Sequence, residues 1–155
     1  MRYSEEIQFF SKTFYIILGG IFLAVLILQQ RGIERLAPVL IVGVMFPLLF
    51  GRLLITVEEN VLRISFGYIG LIKKDIPLSY INEARVVEYR PVREFGGWGI
   101  RCGKFEGQKT GCYNLRGNRG ILLSLSREIK VCIMNTSRLI IGCESPEKLK
   151  TALGK

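Results

Sequence analysis

Leu36 to Ile55 reads LAPVLIVGVMFPLLFGRLLI, twenty residues with a single charge, Arg52, near the end. Just upstream, Phe14 to Leu28 reads FYIILGGIFLAVLIL, fifteen residues with no charge at all. Extending back to Phe10 gives nineteen, interrupted only by Lys12, whose ammonium can snorkel away from an apolar layer. About 20 apolar residues are needed for a helix to cross roughly 30 Å of hydrocarbon. The two stretches therefore predict membrane spans over about 10–28 and 36–55, joined by Gln29–Arg35 into a helical hairpin. Pro38 falls in the first turn of the second span, where its missing N–H costs little. Pro47 would kink that span, which membrane helices tolerate. A cleaved signal peptide is disfavoured, because Gln29-Gln30-Arg31 offers no small-x-small cleavage site. Two nearly uncharged stretches would also be an unusual way to build a soluble core.

Charge divides the chain in the same place. The 155 residues carry 22 basic and 13 acidic side chains, a net charge of +9. Residues 1–51 hold four basic and three acidic residues, a net of +1, leaving 18 and 10, or +8, for residues 52–155. Arg31 and Arg35 flank the turn. Arg2, Lys12, Arg52, Arg63, Lys73 and Lys74 lie on the other side of the spans, and this bias predicts a multi-pass protein of the cell membrane with both termini cytoplasmic. There is no histidine and one aspartate, Asp75, which excludes a His-based metal site or triad. Neither a catalytic residue nor a cofactor or metal site is expected, and the chain reads as a non-enzyme.

Downstream the apolar period becomes two. Leu62, Ile64 and Phe66 share one face of Val61–Phe66, after a turn at Glu58-Glu59-Asn60. Further strands are predicted over 71–76, 81–89, 120–125, 130–134 and 139–143, with Pro77 and several glycines as turn signals. Ser145 and Pro146 open a final helix in which Leu149, Ala152 and Leu153 form one apolar stripe, and Gly154 ends it. This is an α+β plan: a hairpin over 1–55, then a mainly antiparallel β barrel or sandwich over 56–155 with one C-terminal capping helix.

Three stretches carry a family resemblance: Gly96-Gly97-Trp98-Gly99-Ile100-Arg101, Tyr113-Asn114-Leu115-Arg116-Gly117-Asn118-Arg119-Gly120, and Ile141-Gly142-Cys143-Glu144-Ser145-Pro146-Glu147-Lys148-Leu149. With the hairpin before them, residues 52–153 resemble the bacterial pleckstrin-homology-like domains attached to small membrane hairpins. The segment Ser126–Ser137 is longer than that plan expects between its last strands. The resemblance implies a fold and a membrane setting for a family mostly without assigned activity.

Residues 85–119 carry eight basic and three acidic residues, interleaved with glycines. Glycine lets backbone N–H groups approach an anion, and arginine supplies a forked donor. Arg93, Trp98, Arg101, Lys104, Lys109, Arg116 and Arg119 are the residues expected to contact an anionic lipid or a partner. The function expected is a non-enzymatic integral membrane protein presenting a basic domain for protein scaffolding or anionic-lipid contact. The alternative is a small accessory or regulatory subunit of a transporter or channel. Membrane lipids and an unidentified protein are the expected partners, and a homo-oligomer is compatible with the sequence. Nucleic acid is disfavoured, because no reader motif or stacking pair of aromatics is present. Cys102, Cys112, Cys132 and Cys143 form no C-x-x-C pair, so small, reduced, mostly buried side chains are expected.

Overall fold

Leu53-Leu54-Ile55-Thr56-Val57 is where the chain departs from the helical expectation. Leu53, Ile55 and Val57 are fully buried, whereas Leu54 is only half-buried. That alternation belongs to a strand, in which successive side chains point to opposite faces. The computed structural model describes residues 3–9, 15–16, 18–23, 43, 45, 47–70 and 72–154. Within these residues Arg52–Val57 forms β2, which pairs with β1 (Tyr3–Gln8) on one side and β3 (Val61–Phe66) on the other. β4 (Ile72–Pro77) completes a four-stranded antiparallel sheet in the order β1-β2-β3-β4.

The expected transmembrane hairpin is thereby overturned. Among the described residues no helix is long and apolar enough to cross a membrane. The last four residues of the supposed second span, Arg52–Ile55, are strand. Residues 10–14, 17, 24–42, 44 and 46 of the two expected spans lie outside the described residues. The physical reason is that protein, not hydrocarbon, receives the apolar side chains of β2. Leu53 stands opposite Phe66, Ile55 opposite Ile64 and Val57 opposite Leu62, all buried. Each such burial contributes on the order of 1.5–3 kcal/mol. The multi-pass localisation, the cytoplasmic termini inferred from it, and the membrane scaffold, lipid-contact and channel-subunit functions built upon it fall with the hairpin.

The second sheet is formed by β5 (Ile81–Glu88), β6 (Gly99–Phe105), β7 (Gln108–Asn114), β8 (Arg119–Val131) and β9 (Met134–Gly142). Its order is β5-β8-β9-β7-β6, antiparallel throughout except for the parallel pair β7–β9. The paired segments 121–123 of β8 and 139–141 of β9 are buried on both faces. Hence Ile121-Leu122-Leu123 and Leu139-Ile140-Ile141 are continuous apolar runs rather than alternating ones. The segments 120–125 and 130–134, predicted as separate strands, include most of one long strand, β8, whose pairing with β9 shifts register between Ser124 and Ile129.

The two sheets share one core. Ile7, Leu53, Ile55, Leu62, Ile64 and Phe66 from the first meet Ala84, Tyr113, Ile121, Leu123, Leu139 and Ile141 from the second. The Phe66 and Tyr113 rings lie 6.0 Å apart across the interface. α2 (Pro146–Leu153) closes one end through buried Leu149 and Leu153, and Gly154 terminates it in the left-handed conformation, as the sequence predicts. The Glu144 N–H donates to the Glu5 carboxylate at 2.5 Å, tying β1 to the corner where α2 begins. A smaller cluster on the outer face of the second sheet unites Val87, Tyr89, Phe105, Cys112, Leu122 and Ile140 with Phe95 of α1 (Pro91–Phe95).

Candidate functional site

α1 is a single helical turn with well-defined ends. Pro91 opens it, and the Glu94 carboxylate accepts from the Arg90 N–H at 2.7 Å. Gly96 closes it at φ 72°, with the Gly96 and Gly97 N–H groups donating back to Val92 and Pro91. Only glycine adopts such a run cheaply, because Gly97 and Gly99 follow at φ 128° and 109°. The loop is then held at three points. The Gly99 N–H donates to the side-chain carbonyl of Asn114 at 3.0 Å, and the Trp98 indole N–H donates to the Gly117 carbonyl at 3.4 Å. The Arg101 Nε donates to the Trp98 carbonyl at 3.1 Å. Asn114 is completely buried, so a polar side chain there positions the loop from inside.

This loop walls a cleft of about 530 Å³. Gly97, Trp98, Gly99, Ile100, Arg101 and Leu115 supply one side, and Phe9 and Phe50, at the ends of the first sheet's strands, supply the other. Ligand clefts in proteins run to about 300–1,000 Å³ and combine apolar walls with a few polar groups. Arg101 is the one ionisable side chain among the described lining residues. Among the described residues no carboxylate pairs with it, which leaves the outer nitrogens of its guanidinium for a ligand.

The structure places the seven residues singled out from the sequence at several points. Trp98 and Arg101 meet in the cleft. Arg116 pairs with Glu144, and Arg119 pairs with Glu147 at 2.6 Å and faces Glu88 at 3.8 Å. Lys104 and Lys109 stand opposite each other in the β6–β7 hairpin, a like-charge pair. Arg93 sits in α1. None of Arg93, Lys104 and Lys109 lines the cleft. Phe9, Phe50, Leu115 and Asn114 were not legible as site residues, because strands distant in sequence bring them to the loop. Leu115 and Asn114 do lie within the quoted Tyr113–Gly120 stretch.

A second cavity, about 260 Å³, lies on the outer face of the second sheet among Glu83, Arg85, Glu106, Leu122, Ser124 and Arg138. Two of its arginines share one carboxylate. Arg85 donates to both Glu106 oxygens at 2.6 and 2.7 Å, and Arg138 donates to Glu106 at 3.0 Å and to Gln108 at 2.5 Å. Glu106 occupies a tight hairpin turn at φ 51°, followed by Gly107 at 76°. Hydrogen bonds from Arg85, then from Arg138, lower the pKa of its carboxyl. A carboxyl lowered on folding adds stability above its unfolded pKa and loses it as pH falls through the folded one. Glu106→Gln is therefore expected to be less stable than wild type in urea melts above the ordinary carboxylate range, the difference shrinking as pH falls through the lowered pKa of Glu106. A difference independent of pH would deny the ion pairs that role.

Among the described residues no group of three or more Cys, Asp or Glu side chains is placed to hold a metal ion. Comparison with family models, curated proteins and solved structures finds no match. The resemblance to hairpin-anchored pleckstrin-homology-like domains is accordingly withdrawn. The described residues form nine strands in two sheets that include a parallel pair, with helices at Pro91–Phe95 and Pro146–Leu153, a 3-10 turn at Leu78–Tyr80, and further helical residues at 15–16, 18–23, 43, 45 and 47–50.

Proposed function

We propose that this β fold is a non-catalytic binding module for a small amphiphilic acid, with an apolar body and one carboxylate. The observation that carries the reading is the cleft itself: apolar walls from Phe9, Phe50, Ile100, Leu115 and Trp98, with Arg101 as the ionisable group. A guanidinium matches a carboxylate with two parallel hydrogen bonds, and the walls take the hydrocarbon body. Among the described residues the lining has one permanently charged side chain and no titratable acid–base pair, which favours retention over chemistry.

Trp98 is the single tryptophan of the chain and serves as a built-in reporter. Titrating the full-length protein with dodecanoate is expected to shift its emission saturably, with dodecanol weaker and acetate silent. Arg101→Gln is expected to weaken dodecanoate about tenfold, as loss of a charge-assisted hydrogen bond worth about 1.5 kcal/mol requires. It should leave dodecanol unchanged. Emission and calorimetry that stay flat up to the micellar limit would refute the proposal.

A further inference from the structure

The four cysteines are chemically unequal. All are free thiols. Cys112 and Cys143 are buried in the two cores, and burial raises both pKa values, that of Cys143 to about 12. Cys102 and Cys132 lie elsewhere, where the β8–β9 turn folds back onto β6. Gly111 stands opposite Cys102 in the β6–β7 pairing. A methyl group on Gly111 would meet the Val131 side chain at 2.8 Å, so its absence lets the end of β8 settle on β7. The next residue, Cys132, is thereby carried to β6. The contacts are reciprocal: the Cys102 thiol donates to the Val131 carbonyl at 2.9 Å, and the Cys132 thiol donates to the Ile100 carbonyl at 3.3 Å.

Cys132 is further marked by its backbone. It is exposed, and its φ of 52° places a side chain where glycine or asparagine is the cheap choice. Packing does not account for cysteine here, since its neighbour in the turn, Ile133, is 96% exposed.

We propose that Cys102 and Cys132 form a reversible intramolecular disulfide, a modification site for hydroperoxide-class oxidants. The exposed Cys132 thiolate attacks the peroxide: an S–O bond forms, the O–O bond breaks, and the departing oxygen takes a proton to leave as alcohol or water. Cys102, having lost its proton to solvent, then attacks the sulfenic sulfur. The S–S bond forms, the S–O bond breaks, and hydroxide leaves as water. Two thiols are oxidised by two electrons, one peroxide is reduced, and a dithiol reverses the change by exchange. Burial and the neighbouring thiol push the pKa of Cys102 up to about 11, which disfavours it as the first thiolate to meet peroxide. The product staples the β8–β9 turn to β6.

The test uses the full-length protein, graded hydrogen peroxide and peptide mapping without reductant. The expected result is a Cys102–Cys132 bond within one chain, with Cys112 and Cys143 still free and full recovery on adding dithiothreitol. Cys102→Ser should instead accumulate a dimedone-reactive sulfenic acid on Cys132. Three outcomes would overturn the proposal: a bond between chains, a bond involving Cys112 or Cys143, or oxidation of wild-type Cys132 to sulfinic acid with no disulfide. The mapping on wild type decides the matter even if the serine variant folds poorly, and it is independent of whether the cleft binds an acid.

Discussion

Replacing Gly103 with alanine is expected to lower stability by about 2–4 kcal/mol and to disturb the environment of Trp98. Gly103 lies in the middle of β6, beneath α1. A methyl group there would sit 2.0 Å from the Glu94 carbonyl oxygen and 2.9 Å from the Phe95 ring. The first obstacle is backbone, so no change of rotamer relieves it. α1 must lift, and Phe95 must leave the cluster with Tyr89, whose ring it meets edge-on at 6.0 Å. Because α1 runs directly into the Gly96–Gly99 loop, the cleft should loosen along with it. Gly107→Ala is the useful comparison. Its methyl would meet nothing, but φ is 76°, so only conformational strain of about 1 kcal/mol is expected. Urea unfolding followed by circular dichroism, with Trp98 emission read in parallel, ranks the two. Equal stabilities for both variants would mean that α1 is not seated on Gly103.

The second large effect concerns β2. Ile55→Asn is expected to cost about 4 kcal/mol or more, since it removes a wholly buried side chain and leaves an amide without water. Leu54→Asn, one residue away, is expected to cost less than about 1.5 kcal/mol, because Leu54 is half-buried on the other face. A period of two makes adjacent residues unequal. A helix lying in a uniform apolar surround would treat them alike. Denaturant melts of both variants decide it, and a greater loss at Leu54 would mean that the register of β2 is wrong.

That same segment shows what the sequence could and could not disclose. β3 was legible because Arg63 and Ser65 interrupt Leu62, Ile64 and Phe66. Arg63 is charged for a reason: it binds Asp75 across the strand at 3.0 Å and Glu58 at 2.9 Å on the solvent face. In β2 the outer face carries Leu54, half-buried, and Thr56, buried, so the alternation is masked and the strand looks like the end of an apolar helix. β1 fails in the opposite direction. Tyr-Ser-Glu-Glu-Ile-Gln has one wholly buried residue, Ile7, and its partner, Leu53, is 46 positions away. No local window contains that pairing. α2 was legible because Pro146 and Gly154 bracket it and its stripe is local.

The cleft followed the same division. Trp98 and Arg101 stood out as an aromatic and a cation within a glycine-rich loop. Phe9 and Phe50 could not be joined to them, because what unites the four is the packing of the first sheet against the second. The net positive charge is likewise partly balanced at long range: Arg116 and Arg119 pair with Glu144 and Glu147, 28 residues further on.

The parallel neighbours β7 and β9 impose an order of assembly. β9 occupies the centre of its sheet, between β8 and β7, yet it is the last of the five strands to leave a ribosome. Until Leu139, Ile140 and Ile141 emerge, the β6–β7 hairpin and the β5–β8 pair each present a bare hydrogen-bonding edge beside an apolar surface, the arrangement most prone to capture by another chain. Synthesis of this protein therefore passes through an interval of exposure that ends only when its final strand slides into the gap.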